Sequence, residues 1–259
     1  HDNFKIAKDT FQEIEEYSSI NLRKLIFSDD DTLLNQTRYT QISIFASSLA
    51  IFNTLSNLNL INTADINFML GHSLGEYSAL ACSNKISVRE ASIILKKRGD
   101  IMQNALAKNK YGMAALIGLS VLEIEKIINE NNMNLQIAND NSPIQVVITG
   151  KIEDLIKYEN SFKTKDVKKF IKLNVSSAFH SSYMINAQNE LNKDIENLKF
   201  QNNNIKIISN FNAEVSNDNN SILEPYILGS EPYNENIYIL DNLSNIKNNS
   251  ISGTGGLLE

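Results

Sequence analysis

Phe68-Met69-Leu70-Gly71-His72-Ser73-Leu74-Gly75-Glu76-Tyr77-Ser78-Ala79-Leu80-Ala81 is the stretch from which the rest of the chain is read. A short apolar run leads into Gly-x-Ser-x-Gly, and a helix-like run leads out of it. That strand–turn–helix order holds a serine hydroxyl out on a strained elbow as a nucleophile. The plainer alternative is a turn in which two glycines supply positive φ. The flanking pattern favours the elbow, since a simple turn requires neither a strand before it nor a helix after it. The pentapeptide announces a nucleophilic serine, Ser73, without saying which acyl group it carries.

Outward from the elbow, Phe4, Ile6, Phe11, Ile14 and Tyr17 predict a helix over 4–20. Ile42, Ile44, Phe45, Leu49, Ile51, Phe52 and Leu55 predict a stronger one from Tyr39 to Leu58. A strand is expected at 66–70, a helix to about Ser83, and a further helix from Ser87 to Leu106, opened by the capping pattern Ser87-Val88-Arg89-Glu90. From residue 112 the character changes. Strands are expected at Met113–Leu119, Leu135–Ala138, Pro143–Thr149 (closed by Gly150) and Val167–Leu173, with helices at Val121–Glu130 and Ile152–Phe162. This β-α-β-β-α-β order is the ferredoxin-like unit. The expectation is an α/β fold in which 1–111 and 175–259 form one body and 112–174 a small inserted subdomain. After the insertion a helix is expected from Ser181 to Leu198 and a strand from Ile205 to Ser209. Beyond about Leu228 no clear period emerges.

With 259 residues, 42% of them hydrophobic, the chain can bury a full core. A net charge of −6 and a pI near 5.2 argue against a nucleic-acid partner. Lys165, Lys168 and Lys169 alternate with apolar residues and read as a solvated face, or as a surface for an acidic partner. Cys82 is the single cysteine, which excludes an intramolecular disulfide and a cysteine metal site; it is expected to be small and buried. The chain has no run of about 18 apolar residues, so no membrane span is expected. It starts at His1 without Met or a signal pattern, as a fragment or processed form would. Asn fills about one position in seven and Lys outnumbers Arg twenty to four, a compositional bias of the source. The Asn-rich pieces at 202–204, 217–220 and 245–249 are expected to be loops.

A nucleophilic serine needs a base, usually histidine. The chain has three. His1 is terminal. His72 adjoins Ser73 on the elbow, where neighbouring side chains diverge, and reads first as structural. His180, in Ser176-Ser177-Ala178-Phe179-His180-Ser181-Ser182 between a strand and a helix, becomes the base by elimination, although a lone loop histidine is ordinarily silent. Arg98 is the second selective feature. Its planar fork suits a carboxylate, such as that of a malonyl group, in a way lysine cannot copy. The alternative is a surface arginine near a helix C-terminus.

The chain resembles the malonyl-CoA:acyl-carrier-protein transacylases of type II fatty acid synthesis and the acyltransferase domains of polyketide synthases. The matching segments run in order: Leu34 to Gln41, Gly71 to Leu80, Arg98-Gly99 with Met102-Gln103, Gly112 to Leu119, Asn141-Ser142-Pro143 through Gln145 to Gly150, Ser177 to Ser181, and Ile208-Ser209-Asn210. They cover roughly residues 4–212. The resemblance implies an α/β-hydrolase-like large subdomain with an inserted ferredoxin-like (βαββαβ) small subdomain. It implies that Ser73 is acylated, that His180 is its base, that Arg98 holds the malonyl carboxylate and that the Leu74 N–H is an oxyanion donor. It also places His72, Phe179 and Asn141 at the substrate-binding site, the Ala178-Phe179-His180 form being similar to malonyl-selecting members. The implied partners are malonyl-CoA, CoA and an acyl carrier protein whose phosphopantetheine thiol accepts the acyl group. No metal or redox cofactor is implied, and a monomer is expected. The implied location is intracellular: cytoplasm in a bacterium, plastid (apicoplast) or mitochondrion in a eukaryote.

Two family features are not found. One is the opening strand with a Gly-Gln-Gly-Ser-Gln loop, whose glutamine gives a second oxyanion donor. The other is the Gln or Asn and the Gly-Pro-Gly turn that follow the Ser-Asn strand. Losing one oxyanion donor costs roughly 10²–10³ in rate, so a truncated, inactive piece that still binds carrier protein is one rival expectation. A serine thioesterase or esterase, passing the acyl group to water, is the other.

Overall fold

The computed structural model of the protein describes residues 3–107, 109–175, 177–210, 213–216 and 250–253. Two four-stranded sheets organise them. The body opens with helices α1 (Lys5–Ser18), α2 (Leu22–Ile26) and α3 (Thr37–Asn57), followed by strand β1 (Phe68–Gly71), α4 (Gly75–Cys82) and α5 (Val88–Asn104). The insertion comprises β2 (Tyr111–Ile117), α6 (Val121–Glu130), β3 (Leu135–Ser142), β4 (Gln145–Lys151), α7 (Ile152–Lys163) and β5 (Lys169–Lys172). The chain then returns through α8 (Ile185–Ile195), β6 (Lys206–Ile208), β7 (Val215–Ser216) and β8 (Ser250–Gly253).

The body sheet has the order β7-β6-β1-β8. Strand β1, which delivers the elbow, is parallel to both neighbours, with Phe68 opposite Lys206 on one side and Ser250 on the other. The helices bury the faces that their spacing predicts. Ala7, Phe11 and Ile14 of α1 and Ile42, Phe45, Ala46 and Leu49 of α3 enter one core with Leu95 and Met102 of α5. Ile51, counted above with the apolar face of α3, is exposed. The expected capping box is present at the start of α5: Glu90 N–H donates to Ser87 Oγ, and Ser87 N–H to Glu90 Oε2, each at 3.1 Å. Ser120 and Glu123 repeat it on α6.

The small sheet has the order β3-β4-β2-β5 and every pairing is antiparallel. Alternation along its central strands buries both faces. Ala114, Leu116, Val146 and Ile148 pack under α6 and α7, while Met113, Ala115 and Val147 join the core of the body. The protein is therefore an α/β-hydrolase-like body carrying a ferredoxin-like insertion.

Several local expectations change. Pro143 and Ile144 form the turn between β3 and β4 instead of opening a strand, since proline has no N–H to give a ladder. Gly150 lies within β4 rather than closing it, opposite Gly112 and Leu135; a Cβ there would meet Leu135 Cδ2 at 2.8 Å. The helix expected from Ser181 begins as a 3-10 turn at Ser182–Met184. Cys82 is half-buried rather than buried. Strand β8 falls where no period was legible. The Asn-rich pieces at 217–220 and 245–249, His1 and Ser176 lie outside the described residues. Among the described residues no helix is long and apolar enough to cross a membrane, and no group of three or more His, Cys, Asp or Glu is placed to hold a metal ion.

Candidate active site

The elbow turns sharply because its glycines let the backbone close on itself. A Cβ on Gly71 would sit 2.0 Å from the carbonyl carbon of Gly75, so only glycine fits. Ser73, between them, takes φ 51°, the left-handed region that a side chain makes costly. The turn's own hydrogen bonds use the amides of Gly75, to His72 O at 2.8 Å, and of Tyr77, to Leu74 O at 3.0 Å. The Ser73 N–H goes to Asn210 Oδ1 at 2.7 Å. None of these uses the amide of Leu74.

His180 reaches the same point from the loop between β5 and α8. Ser181 Oγ donates to Ala178 O at 2.6 Å, and Ser182 N–H donates to Gln136 Oε1 on β3 at 2.9 Å, which ties the loop to the small subdomain. His180 also has positive φ, 53°. Its Nε2 lies 3.2 Å from Ser73 Oγ. A neutral imidazole with Nε2 unprotonated accepts the serine proton in this geometry.

Arg98, on the middle of α5, is not a surface arginine: it is 3% exposed. Its Nη2 donates to Ser73 Oγ at 3.0 Å and its Nη1 to Gln41 Oε1 on α3. The guanidinium stands 5.6 Å from the centre of the Tyr77 ring, a cation–π contact. Close packing of α3 against α5 makes the Gln41 contact possible: a Cβ on Gly99 would meet Arg38 Cα at 2.8 Å. Burial lowers the Arg98 pKa, with Tyr77 and Glu76 opposing. Burial also pushes the Tyr77 hydroxyl up to about 12, against the pull of Arg98. Arg98 Nε has no hydrogen-bond partner among the described residues.

Ser73, His180 and Arg98 thus meet around one hydroxyl. The other expected residues are placed differently. His72 faces β3, its Nε2 3.4 Å from Asn139 Nδ2, and so links the elbow to the small subdomain. Burial, followed by the Arg98 charge, lowers the His72 pKa. Asn141 approaches the same imidazole and opposes the shift, yet its own buried Oδ1 has no hydrogen-bond partner among the described residues. Phe179 is 7% exposed and belongs to the main core, where it anchors the His180 loop. Gln41, Tyr77, Glu76 and Asn210 were given no role from the sequence. For Gln41 a signal existed: a polar residue beside the buried positions of an otherwise apolar helix face.

A profile of the acyl transferase domain matches residues 5–241. The chain is 33% identical over 245 residues to a polyketide biosynthesis malonyl CoA-acyl carrier protein transacylase, BaeC, of Bacillus velezensis, covering 92% of this chain and 82% of that protein. Its fold superposes on the malonyl CoA-acyl carrier protein transacylase of Coxiella burnetii with a TM-score of 0.87 at 29% identity, covering 94% of this chain and 77% of the other. A malonyl-transacylase solved in complex with its type II polyketide acyl-carrier protein gives a TM-score of 0.86 at 26% identity, covering 94% and 79%.

Proposed function

We propose, since this chain belongs to the acyl transferase domain family, that Ser73, His180 and Arg98 carry its malonyl transfer from malonyl-CoA to the phosphopantetheine thiol of an acyl carrier protein, in fatty acid biosynthesis. The enzyme is an acyltransferase that works by a ping-pong route through an acyl-enzyme. His180 Nε2 takes the Ser73 proton as Oγ attacks the thioester carbonyl. The oxyanion forms beside the Leu74 N–H, which the turn leaves for it. Collapse expels the CoA thiolate, His180 returns the proton to that sulfur, and a malonyl ester remains on Ser73. The carrier thiol then gives its proton to His180 and attacks the ester, and the proton goes back to Oγ as the serine leaves.

Arg98 receives the malonyl carboxylate. Its Nη2 already stands at the nucleophile, so a carboxylate bound there sets the thioester carbon beside Oγ. The contact of the Arg98 guanidinium with Ser73 Oγ, on the hydroxyl that also faces His180, is the observation that carries this reading. A thioesterase using the same elbow has no need of a buried cation there. The carrier-protein partner is supported by the acyl-carrier protein in the complex of the similar transacylase. One chain supplies all three side chains, so the site needs no second copy, and a monomer is the working unit we propose. Mixing the protein with malonyl-CoA and a phosphopantetheinylated carrier protein tests the reading. Malonyl carrier should accumulate faster than free malonate; release of malonate alone would make the protein a hydrolase.

A further inference from the structure

Ser73 is held in its strained conformation by a closed ring of hydrogen bonds that none of the reacting groups joins. Its N–H donates to Asn210 Oδ1 at 2.7 Å. The N–H of Asn210 donates to Glu76 Oε1 at 2.8 Å. The N–H of Glu76 donates to the carbonyl of Ser73 at 3.3 Å, which closes the cycle. Both backbone groups of the nucleophile are therefore occupied, one by a side chain 137 positions away and one by the first turn of α4. Glu76 is 4% exposed, so its carboxylate is committed to this position and not to solvent. Asn210 is fixed in turn, because β6 doubles back into β7 around it: Ser209 N–H donates to Glu214 O at 2.9 Å and Ala213 N–H to Ser209 O at 3.0 Å.

We infer that Asn210 and Glu76 are positioning residues for the nucleophile, acting as a latch between the end of β6 and the elbow. Left-handed backbone at a non-glycine residue persists only where its surroundings over-determine it. A serine released from the ring relaxes toward negative φ, which swings Oγ away from His180 Nε2 and brings the Leu74 amide back into the turn. The latch thus sets two catalytic features at once, the aim of the hydroxyl and the direction of the oxyanion donor. The Asn210 half of the latch makes its hydrogen bonds to Ser73 and Glu76, while the Glu76 carboxylate also acts electrostatically on the Arg98 guanidinium.

This inference rests on the assignment of Ser73 as nucleophile but not on the identity of the acyl group, and the test separates the two. Asn210→Leu removes the acceptor at nearly constant shape, and Asn210→Asp keeps an acceptor. For each protein, the rate at which a fluorophosphonate labels Ser73 is measured beside kcat and KM for malonyl transfer, with a thermal melt as the check on folding. Asn210→Leu should label roughly ten- to a hundredfold more slowly than the unaltered chain, as expected for a displaced reacting atom. Its kcat should fall with KM within about twofold, since ground-state binding at Arg98 is untouched. Asn210→Asp should recover most of the labelling rate. If Asn210→Leu fails to fold, Glu76→Ala, which opens the ring from its other side, should show the same loss of labelling rate; KM is compared for the Asn210 variants alone, because the Glu76 charge also acts on Arg98. A latch-free variant that labels as fast as the unaltered chain overturns the inference, as does Asn210→Asp labelling as slowly as Asn210→Leu. An unaltered chain that labels briskly yet transfers no malonyl group overturns the acyl assignment instead.

Discussion

The Ser73 hydroxyl and the His180 imidazole, 107 positions apart in sequence, stand 3.2 Å from one another, each on a residue with left-handed backbone. Such a conformation costs about 1–3 kcal/mol at a non-glycine residue and gathers at functional sites. Two of them at one contact mean that the fold holds both partners against local preference. The elbow strand, the small subdomain and the β6–β7 hairpin all contribute to that hold.

Removing either partner should therefore remove the same step. Ser73→Ala and His180→Ala are each expected to lower malonyl transfer on the order of 10⁴–10⁶-fold, and the double variant to be no worse than the worse single one. Steady-state transfer assays on the three variants check this; additive losses would mean that the two residues act separately.

Arg98→Lys keeps the charge but loses the fork. One ammonium cannot face both Gln41 and the Ser73 site along two directions, so kcat/KM for malonyl-CoA should fall roughly 10- to 100-fold, the worth of one hydrogen bond to a charged group. Comparing the variant with Arg98→Ala separates geometry from charge, and a Lys variant with full activity would contradict the positioning role.

Gln41→Leu leaves Nη1 of a buried guanidinium without its acceptor, while Nε already lacks one. The expected cost is about 1–3 kcal/mol of stability. At about 2–4 °C per kcal/mol, the melting temperature should fall by several degrees, with weaker malonyl binding beside it. Differential scanning calorimetry and KM measure the two effects.

His72 should shape the acid limb of stability. Its pKa in the folded protein lies below the ordinary 6.5, chiefly through burial. The unfolded chain then binds the proton more tightly, so this contribution is fully present above pH 6.5 and is lost as the pH falls through the depressed folded value. Urea midpoints should decline below about pH 6.5, and His72→Gln, which can still accept from Asn139, should flatten part of that decline.

How much of this was legible in the sequence depends on how local each determinant is. The elbow was readable because its strain is written into five adjacent residues, with Gly71 demanded by the approach of Gly75. The capping box at Ser87 and Glu90 and the alternation in β2 and β4 are equally local. His180 emerged by elimination in a chain with few histidines. Gln41 and Asn210 escaped assignment because their partners, Arg98 and Ser73, lie 57 and 137 positions away. The burial of Arg98 escaped for the same reason, since it follows from the close approach of α3 at Gly99. Strand β8 is invisible to periodicity because Ser250-Ile251-Ser252-Gly253 gains its structure only by pairing with β1.

Mass spectrometry of the intact protein after brief exposure to malonyl-CoA tests the central claim most directly. A gain of one malonyl group per chain is predicted, located on Ser73 by peptide fragmentation, absent from Ser73→Ala and discharged when a phosphopantetheinylated carrier protein is added. An unmodified Ser73 in a protein that still transfers malonyl groups, or an adduct on any other side chain, would contradict the account.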